Sequence, residues 1–228
     1  LSGFYPDPSI CRVGKDFYLV TSSFEYFPGV PIFHSQDLVH WQQIGHCLDR
    51  ESQISLGNAQ CFSGIFAPTI RYHNGIFYMT TTNTSGIKNF IVTAKSPEGP
   101  WSDPIPVKQE GIDPSLFFDG DGSVYYTTAC GGALQSRIDI NTGKLLTKPK
   151  LIWKGTGGRY PEAPHLYFIN GWYYLMLAEG GTGYEHMVTM ARSKSPWGPF
   201  EPCSRNPLLT HRSTPSLIRA TGHADLVS

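Results

Sequence analysis

The chain has 228 residues, of which 40% are hydrophobic, 13% aromatic and only 16% charged, and this length allows one domain with a sizeable core. Basic and acidic residues number 18 each, and neither Lys nor Arg forms a run. The sequence therefore lacks the positive patch by which proteins bind nucleic acid or an anionic membrane, and we expect neither as a partner.

The sequence also bears on the cellular compartment. No apolar run approaches the ~18 residues of a transmembrane helix. The start, from Leu1 to Asp7, has neither the basic end nor the apolar stretch of a signal peptide. Five cysteines without a C-x-x-C pair signal neither a zinc site nor a disulfide framework: Cys11, Cys47, Cys61, Cys130 and Cys203. We therefore expect a soluble, cytoplasmic protein whose thiols are reduced and mostly buried.

Along the chain, one pattern recurs four times: a short first strand, a turn, and a second strand rich in Tyr. The sequence contains 24 Gly and 18 Pro, which is typical of many short strands joined by turns. The copies begin at Asp7-Pro8, Ala67-Pro68, Asp113-Pro114 and Glu162-Ala163-Pro164. Their second strands are expected over 16–20, 75–79, 123–126 and 171–175. Each copy therefore predicts a hairpin.

A segment that contains Trp follows three of the hairpins, over 38–41, 99–102 and 196–200, and we interpret these segments as outer strands. Four strands per repeat is typical of a propeller blade. No 3.6-residue periodicity is sustained anywhere, so helices are not indicated. The predicted fold is all-β, and a β-sandwich is the structural alternative.

A fifth copy of the pattern begins near the end of the sequence. When the copies are aligned on the apolar residue of the first strand, Leu226 takes that place and His223 takes the lead position. We therefore expect residues 1–228 to form one catalytic domain without a second domain. This domain is predicted as a five-bladed β-propeller with four blades and the first strand of an incomplete fifth.

The lead positions are candidates for a shared site, because the innermost strands of propeller blades line one central cavity. Asp7, Asp113 and His223 occupy such positions, and Glu162 lies one place before another. One Asp-Pro alone is most simply a turn, but three carboxylates in register on separate repeats indicate chemistry. Glycoside cleavage needs one protonated and one ionised carboxyl group. We predict Asp7 and Glu162 as this pair, with ionised Asp113 keeping Glu162 protonated.

Three long motifs carry a resemblance to a known family: GFYPDPS at 3–9, SFEYFPGVPIFHS at 23–35 and YPEAPH at 160–165. With them the chain closely resembles the β-xylosidases of glycoside hydrolase family 43, over essentially its whole length. The resemblance implies a five-bladed propeller and inversion at the anomeric carbon. It also implies that Asp7 is the general base, Asp113 the pKa modulator and orienter, and Glu162 the general acid.

The resemblance also implies residues that bind the substrate. Phe24 and Phe66 fall where the family places aromatic walls around the terminal sugar, and Phe66 stands where relatives often carry Trp. Ordinary packing is the alternative for both phenylalanines. His223 matches a family histidine near the base of the cavity, which helps to hold a hydrated calcium ion in several members. A histidine with its partners satisfied in the core is the alternative. No cofactor is expected to be required, and calcium in the central cavity is left open.

The resulting hypothesis is an inverting enzyme that releases terminal β-D-xylose, or the similarly shaped α-L-arabinofuranose, from xylo-oligosaccharides. Carboxyl groups about 6.5 to 9.5 Å apart would fit inversion, and about 5 Å would favour retention. One alternative is a retaining, fructan-cleaving propeller, whose leading acid usually follows Asn where this chain has Pro6. Others are a non-catalytic sugar-binding or inactive fragment and a purely structural repeat protein. The expected partner is an oligosaccharide, and a homo-oligomer is left open.

The sequence departs from the family in two respects. Xylosidases of this group continue through a complete fifth blade, which supplies a substrate-contacting arginine, and usually into a C-terminal β-sandwich. The 228 residues contain neither feature.

Overall fold

The computed structural model describes residues 1–57 and 59–227, and these residues form strands and turns without a helix. No helix that could cross a membrane is present in this part of the chain. The strands lie in chain order as β1 Ser9–Val13, β2 Asp16–Val20, β3 Gly29–Ser35, β4 Gln42–Leu48, β5 Thr69–His73, β6 Ile76–Asn83, β7 Lys88–Ala94, β8 Ile105–Pro106, β9 Ile112–Phe118, β10 Val124–Ala129, β11 Ala133–Arg137, β12 Lys150–Trp153, β13 Glu162–Ile169, β14 Trp172–Glu179, β15 Met187–Ser193, β16 Glu201–Pro202 and β17 Leu209–Thr210.

Each successive set of four strands forms its own antiparallel sheet, in which neighbours in the chain are neighbours in the sheet. The sheets are β1–β4, β5–β8, β9–β12 and β13–β16, called blades 1 to 4 below, and β17 adds to β15. A four-stranded meander of this kind is the blade of a β-propeller. A β-sandwich would instead have two sheets. The predictions of an all-β chain and of four blades are confirmed.

The blades belong to two compact units. The first unit comprises Leu1–Lys108, Ile140–Lys144 and Asp225–Ser228 and contains blades 1 and 2. The second unit comprises Gln109–Asp139 and Leu145–Ala224 and contains blades 3 and 4. Each unit has its own hydrophobic core. That of the first includes Ile32, Leu48, Ile70, Met79 and Phe90, and that of the second includes Leu166, Leu175, Leu177 and Ala191.

The four predicted hairpins are present as β1–β2, β5–β6, β9–β10 and β13–β14. Two of them close on Asn-Gly, at Asn74-Gly75 and Asn170-Gly171. Both residues of each turn have positive φ, from 49° to 82°. A two-residue turn with this backbone matches the twist of the strands, and Asn-Gly adopts it at the lowest cost.

The outer strands lie a few residues later than predicted. The Trp-containing segments lie outside the strands, and the outer strands that follow them are β4, β8 and β16. In the second segment, Trp101 is 2% exposed, and its indole N–H donates to the carbonyl of Pro97 at 3.2 Å. Pro100 and Pro199 lack the N–H that a strand ladder uses, so these segments turn the chain rather than pair.

The predicted first strand of a fifth blade is absent, because residues 223–227 form no strand in the described chain. Asp225 instead anchors residues 225–227 within the first unit. Its Oδ2 accepts hydrogen bonds from Ser9 Oγ at 2.6 Å and from Arg71 Nη1 at 2.7 Å. Its side chain is 1% exposed. A buried ion pair, rather than strand pairing, therefore fixes this segment to β1 and β5.

The cysteines differ from the expectation in one respect. All five are free, but only Cys11 and Cys47 are buried. Burial raises the pKa of Cys11 to about 12, so this thiol is unreactive at neutral pH. Cys61 and Cys130 are exposed, which makes the prediction of mostly buried thiols wrong. Both lie in turns rather than in strands, and the strand pattern therefore did not reveal their positions.

Candidate active site

The lead residues of the repeat lie in β-bulges, where two residues of the inner strand oppose one residue of the next strand. In blade 3, the pair that begins with Asp113 opposes Thr128 alone. In blade 4, the pair that begins with Ala163 opposes Leu177 alone. Each pair ends in Pro, which a bulge tolerates because it interrupts the hydrogen-bond ladder. The Pro that marked the repeat in the sequence therefore marks a bend that re-aims the lead side chain.

The first unit has the same arrangement. Ser22 N–H donates to the carbonyl of Pro6 at 3.1 Å, and Ser9 pairs with Val20, so the pair that begins with Asp7 opposes one residue. Blade 2 repeats this geometry at Ala67. The bulge therefore belongs to the repeat itself, and the chemistry depends on which residue occupies it.

Four of the five lead positions have a strained backbone. Asp7, Asp113, Ala163 and His223 have φ values of 56°, 51°, 49° and 47°. Non-glycine residues are uncommon in this left-handed region, at a cost of about 1–3 kcal/mol each. Such strain persists only where the surrounding structure holds it, and it concentrates at functional sites.

Asp7 is half-buried at the start of blade 1. The hydroxyl of Ser22 donates to Asp7 Oδ2 at 2.6 Å, and Ser22 is 4% exposed. A buried hydroxyl on the neighbouring strand thus fixes the orientation of this carboxyl group. Sequence reasoning missed Ser22, because one serine in a run of polar residues carries no signal of its own.

An aromatic cluster lies next to Asp7 in the first unit. Phe24 is at its centre, stacked on Phe4 with ring centroids 5.9 Å apart, and in edge contact with Phe62 at 6.0 Å and Phe66 at 5.8 Å. Phe4 and Phe62 are 61% and 66% exposed. Exposed rings of this kind offer a face to the apolar side of a ligand. The structure thus brings Phe24 and Phe66 together and adds two rings that the sequence did not identify as site residues.

The position of Phe24 depends on a close backbone approach. Phe24 and Ile65 exchange two backbone hydrogen bonds of 2.9 Å. Gly64 precedes Ile65 with φ of +96°, and a Cβ placed there would lie 2.3 Å from the carbonyl oxygen of Phe24. Only glycine fits this position without displacing Phe24.

We expect Gly64→Ala to destabilise the protein by about 1–3 kcal/mol, because the methyl group adds a backbone clash to an unfavourable φ. Gly14→Ala is the matched control, since Gly14 has φ of +62° and nothing within 4 Å of its would-be Cβ. Urea unfolding measures both variants. Equal losses would show that φ alone, rather than contact with Phe24, makes glycine necessary at position 64.

Asp113 and Glu162 meet through the backbone of blade 4. Asp113 is 6% exposed, and its Oδ2 accepts the N–H of Ala163 at 3.1 Å. Ala163 follows Glu162 directly, at the bulged start of β13. Asp113 therefore holds the peptide that carries Glu162, which fits the predicted role of an orienting residue.

Glu162 opens onto a cavity of about 500 Å³ in the second unit. Its walls include Ile112, Ala129, Tyr160 and Thr182. This volume suits a small ligand, and the lining is largely apolar around one carboxyl group. Tyr160 is 68% exposed at the edge of the cavity, where an incoming molecule would meet it.

The described residues contain no group of three or more His, Cys, Asp or Glu side chains close enough to hold a metal ion. Calcium takes six to eight oxygen ligands, whereas His223 would offer a nitrogen. The water-mediated contact of His223 with calcium stays a prediction, and no chemical step below depends on it.

The predicted acids are thus distributed over both units. Asp113 and Glu162 are joined in the second unit by the Ala163 peptide. Asp7 belongs to the first unit, which also contains the aromatic cluster. Its pairing with Glu162 as base and acid stays a prediction that rests on the repeat.

Comparison with known proteins adds a family, two relatives and a solved structure. Glycosyl hydrolases family 43 matches residues 1–228. A xylosidase/arabinosidase from Butyrivibrio fibrisolvens is 53% identical, and a non-reducing end α-L-arabinofuranosidase from Bacteroides ovatus is 50% identical, each over 100% of this chain. The solved structure of a xylan β-1,4-xylosidase from Bacillus halodurans superposes with a TM-score of 0.93 at 43% identity, over 99% of this chain and 47% of that one. The chain spans 47% and 44% of the length of the two curated relatives.

Proposed function

Because this chain belongs to glycosyl hydrolase family 43, we propose that it is the propeller portion of an inverting glycosidase. The enzyme releases terminal β-D-xylose, or α-L-arabinofuranose, from xylo-oligosaccharides. Relatives named xylosidase/arabinosidase and α-L-arabinofuranosidase support this choice of sugars. The observation that carries the proposal is the repeated strained bulge at the starts of the inner strands, which holds Asp7, Asp113 and the residue next to Glu162.

In this mechanism, Glu162 is the general acid. Its carboxyl group gives a proton to the glycosidic oxygen as the bond from that oxygen to the anomeric carbon breaks. Asp7 is the general base and takes a proton from a water molecule, whose oxygen attacks the opposite face of the sugar. The new bond to water replaces the bond to the leaving group, and the configuration at the anomeric carbon inverts. Exchange with solvent then returns both carboxyl groups to their starting states.

Asp113 supports the acid without reacting. Its hydrogen bond from the Ala163 N–H fixes the peptide that bears Glu162. An ionised carboxylate close to Glu162 also disfavours a second negative charge, so it keeps the acid protonated at neutral pH. Both effects act on Glu162 before the substrate arrives.

The aromatic cluster binds the terminal sugar. Phe24 and Phe66 form adjoining walls, since their rings meet edge to face at 75°. Rings fixed in this way pack against the carbon face of a sugar and leave its hydroxyl groups to polar partners. The exposed ring of Phe62 extends the same surface.

The stereochemistry of the first product tests the proposal. We expect the purified protein to cleave a nitrophenyl β-D-xyloside and a nitrophenyl α-L-arabinofuranoside. Proton NMR during the first minutes should show xylose released as the α-anomer, because inversion converts a β-linkage into an α-product. Initial release of the β-anomer would contradict the mechanism. Binding of xylo-oligosaccharides without release of either sugar would support a non-catalytic, sugar-binding function.

A further inference from the structure

A second carboxylate, Glu179, is completely buried near Glu162, at the end of β14. It is 0% exposed. Oε1 accepts hydrogen bonds from Thr156 N–H at 2.8 Å and from the Thr189 hydroxyl at 2.5 Å. Oε2 accepts the N–H of Gly158 at 2.7 Å. The Thr156 hydroxyl lies 3.2 Å from both oxygens. One buried side chain thus holds both the loop over 155–158 and the neighbouring strand β15.

The geometry of this contact suits a carboxylate. A backbone N–H can only donate, so both oxygens of Glu179 must accept. An amide has one oxygen, and its nitrogen would face a second donor. Burial of such a group is costly unless each polar atom has a partner, and here the loop supplies the partners.

The loop backbone lies directly on the carboxyl group. A Cβ at Gly155 would lie 2.7 Å from Glu179 Cδ, and one at Gly158 would lie 2.7 Å from Glu179 Oε2. Gly155 also has φ of +81°. Side chains at these positions would push the loop off Glu179, and the glycines of the loop therefore match the carboxylate they enclose.

The loop leads into the general acid. Residues 154–161 connect β12 to β13, and Glu162 is the first residue of β13. The N–H of Gly180 donates to the carbonyl of Arg159 at 2.7 Å, which holds the loop at a second point. Glu162 itself pairs with Ala178, the residue before Glu179. The backbone around Glu162 is thus held by Glu179 before it and by Asp113 after it.

From this geometry we infer that Glu179 is a positioning residue, which fixes the loop before Glu162 so that the acid meets the glycosidic oxygen. Glu179 itself touches neither sugar nor water in this role, since its oxygens are occupied by the loop and by Thr189. The inference rests on the proposed function, because it assigns Glu179 a task only if Glu162 donates a proton.

The dependence of the rate on the leaving group tests this role. Phenolate is a poor leaving group and needs a proton from Glu162, whereas dinitrophenolate departs without one. In Glu179→Gln we expect kcat for phenyl β-xyloside to fall by about 10- to 100-fold, since a small displacement of a catalytic group has this effect. For dinitrophenyl β-xyloside we expect a fall of less than about threefold, with KM little changed for both substrates.

Glu201→Gln is the matched control, because this glutamate is 71% exposed and lies in the same unit. It should leave both rates unchanged. A uniform loss on the two substrates in Glu179→Gln would overturn the positioning role and leave a purely structural one. No loss on either substrate would overturn it as well.

If Glu179→Gln fails to fold, Thr189→Val provides the second measurement. This change removes the 2.5 Å hydrogen bond to Glu179 and leaves the loop contacts in place. The same selective loss on the poor leaving group, on a smaller scale, is expected, and a uniform loss would again overturn the inference. If the wild-type protein cleaves no glycoside at all, that result overturns both the proposed function and the positioning role of Glu179. Uniform losses in an active protein overturn the inference alone.

Discussion

Replacement of Glu162 by Gln is expected to lower kcat for phenyl β-xyloside by about 10²–10⁴, the range that a general acid contributes. The amide has the size of the carboxyl group and cannot supply its proton. The peptide after Glu162 keeps its hydrogen bond to Asp113, because that bond uses the N–H of Ala163. Steady-state kinetics on aryl xylosides measure the effect, and urea unfolding should show stability close to that of the wild type.

Asp7→Asn gives a contrasting result that separates acid from base. Activation of water is needed whatever the leaving group, so Asp7→Asn should slow phenyl and dinitrophenyl substrates equally. Glu162→Gln should leave the rate on the dinitrophenyl substrate nearly unchanged. Asp49→Asn, at an aspartate 57% exposed, is the control and should change neither rate. A reversal of the two patterns would exchange the roles of Asp7 and Glu162.

Asp225→Ala is expected to lower the free energy of unfolding by about 3–5 kcal/mol, because it leaves a buried guanidinium without its partner. Arg71 is 16% exposed, and its Nη1 and Nη2 lie 2.7 Å and 3.1 Å from the Asp225 oxygens. The same carboxylate accepts the Ile10 N–H at 3.2 Å, which loses its acceptor too. Urea unfolding followed by circular dichroism measures the loss.

An exposed ion pair of the same kind serves as the control. Arg50 and Asp103 lie 2.9 Å apart, with side chains 40% and 71% exposed. Because solvent screens such a pair, Asp103→Ala should cost less than about 1 kcal/mol. If Asp225→Ala and Asp103→Ala lower the free energy of unfolding equally, burial of the Arg71–Asp225 pair contributes nothing to stability. The double variant Arg71→Met/Asp225→Leu should recover part of the loss, since it removes both buried charges together but leaves the Ile10 N–H without its acceptor.

The sequence predicted those features that recur locally. Each blade repeats a hairpin with a Pro-marked start, so the lead positions align from the amino-acid pattern alone. The positive φ at Asp7, Asp113 and His223 falls on lead positions found in this way. The outer strands were placed too early, because Trp next to Gly-Pro looks like a strand by composition. Proline removes the donor that such a strand would need.

Contacts between distant residues gave no such signal. Asp225 bonds to a serine 216 positions earlier in the chain, and nothing near Asp225 marks it as a buried ion pair. Glu179 is the last residue of β14, after an apolar run, and no repeated pattern in the sequence marks it as a buried carboxylate. Phe62 belongs to the aromatic cluster through its contact with Phe24, which only the structure reveals. The roles of Asp225, Glu179 and Phe62 depend on residues that are distant in the chain. The repeated pattern of the blades does not include these three positions, so the sequence alone does not reveal their roles.

Because Asp7 and Asp113 have a left-handed backbone, thermostability and catalysis favour different residues at these two positions. Asparagine would suit φ values of 56° and 51° and would keep an oxygen for the hydrogen bonds from Ser22 and Ala163, so selection for heat resistance alone would favour it at both positions. Each such change would also remove a carboxylate from the candidate site. Directed evolution of this protein for high temperature should therefore screen for activity in every round, because the easiest stabilising substitutions coincide with the acids.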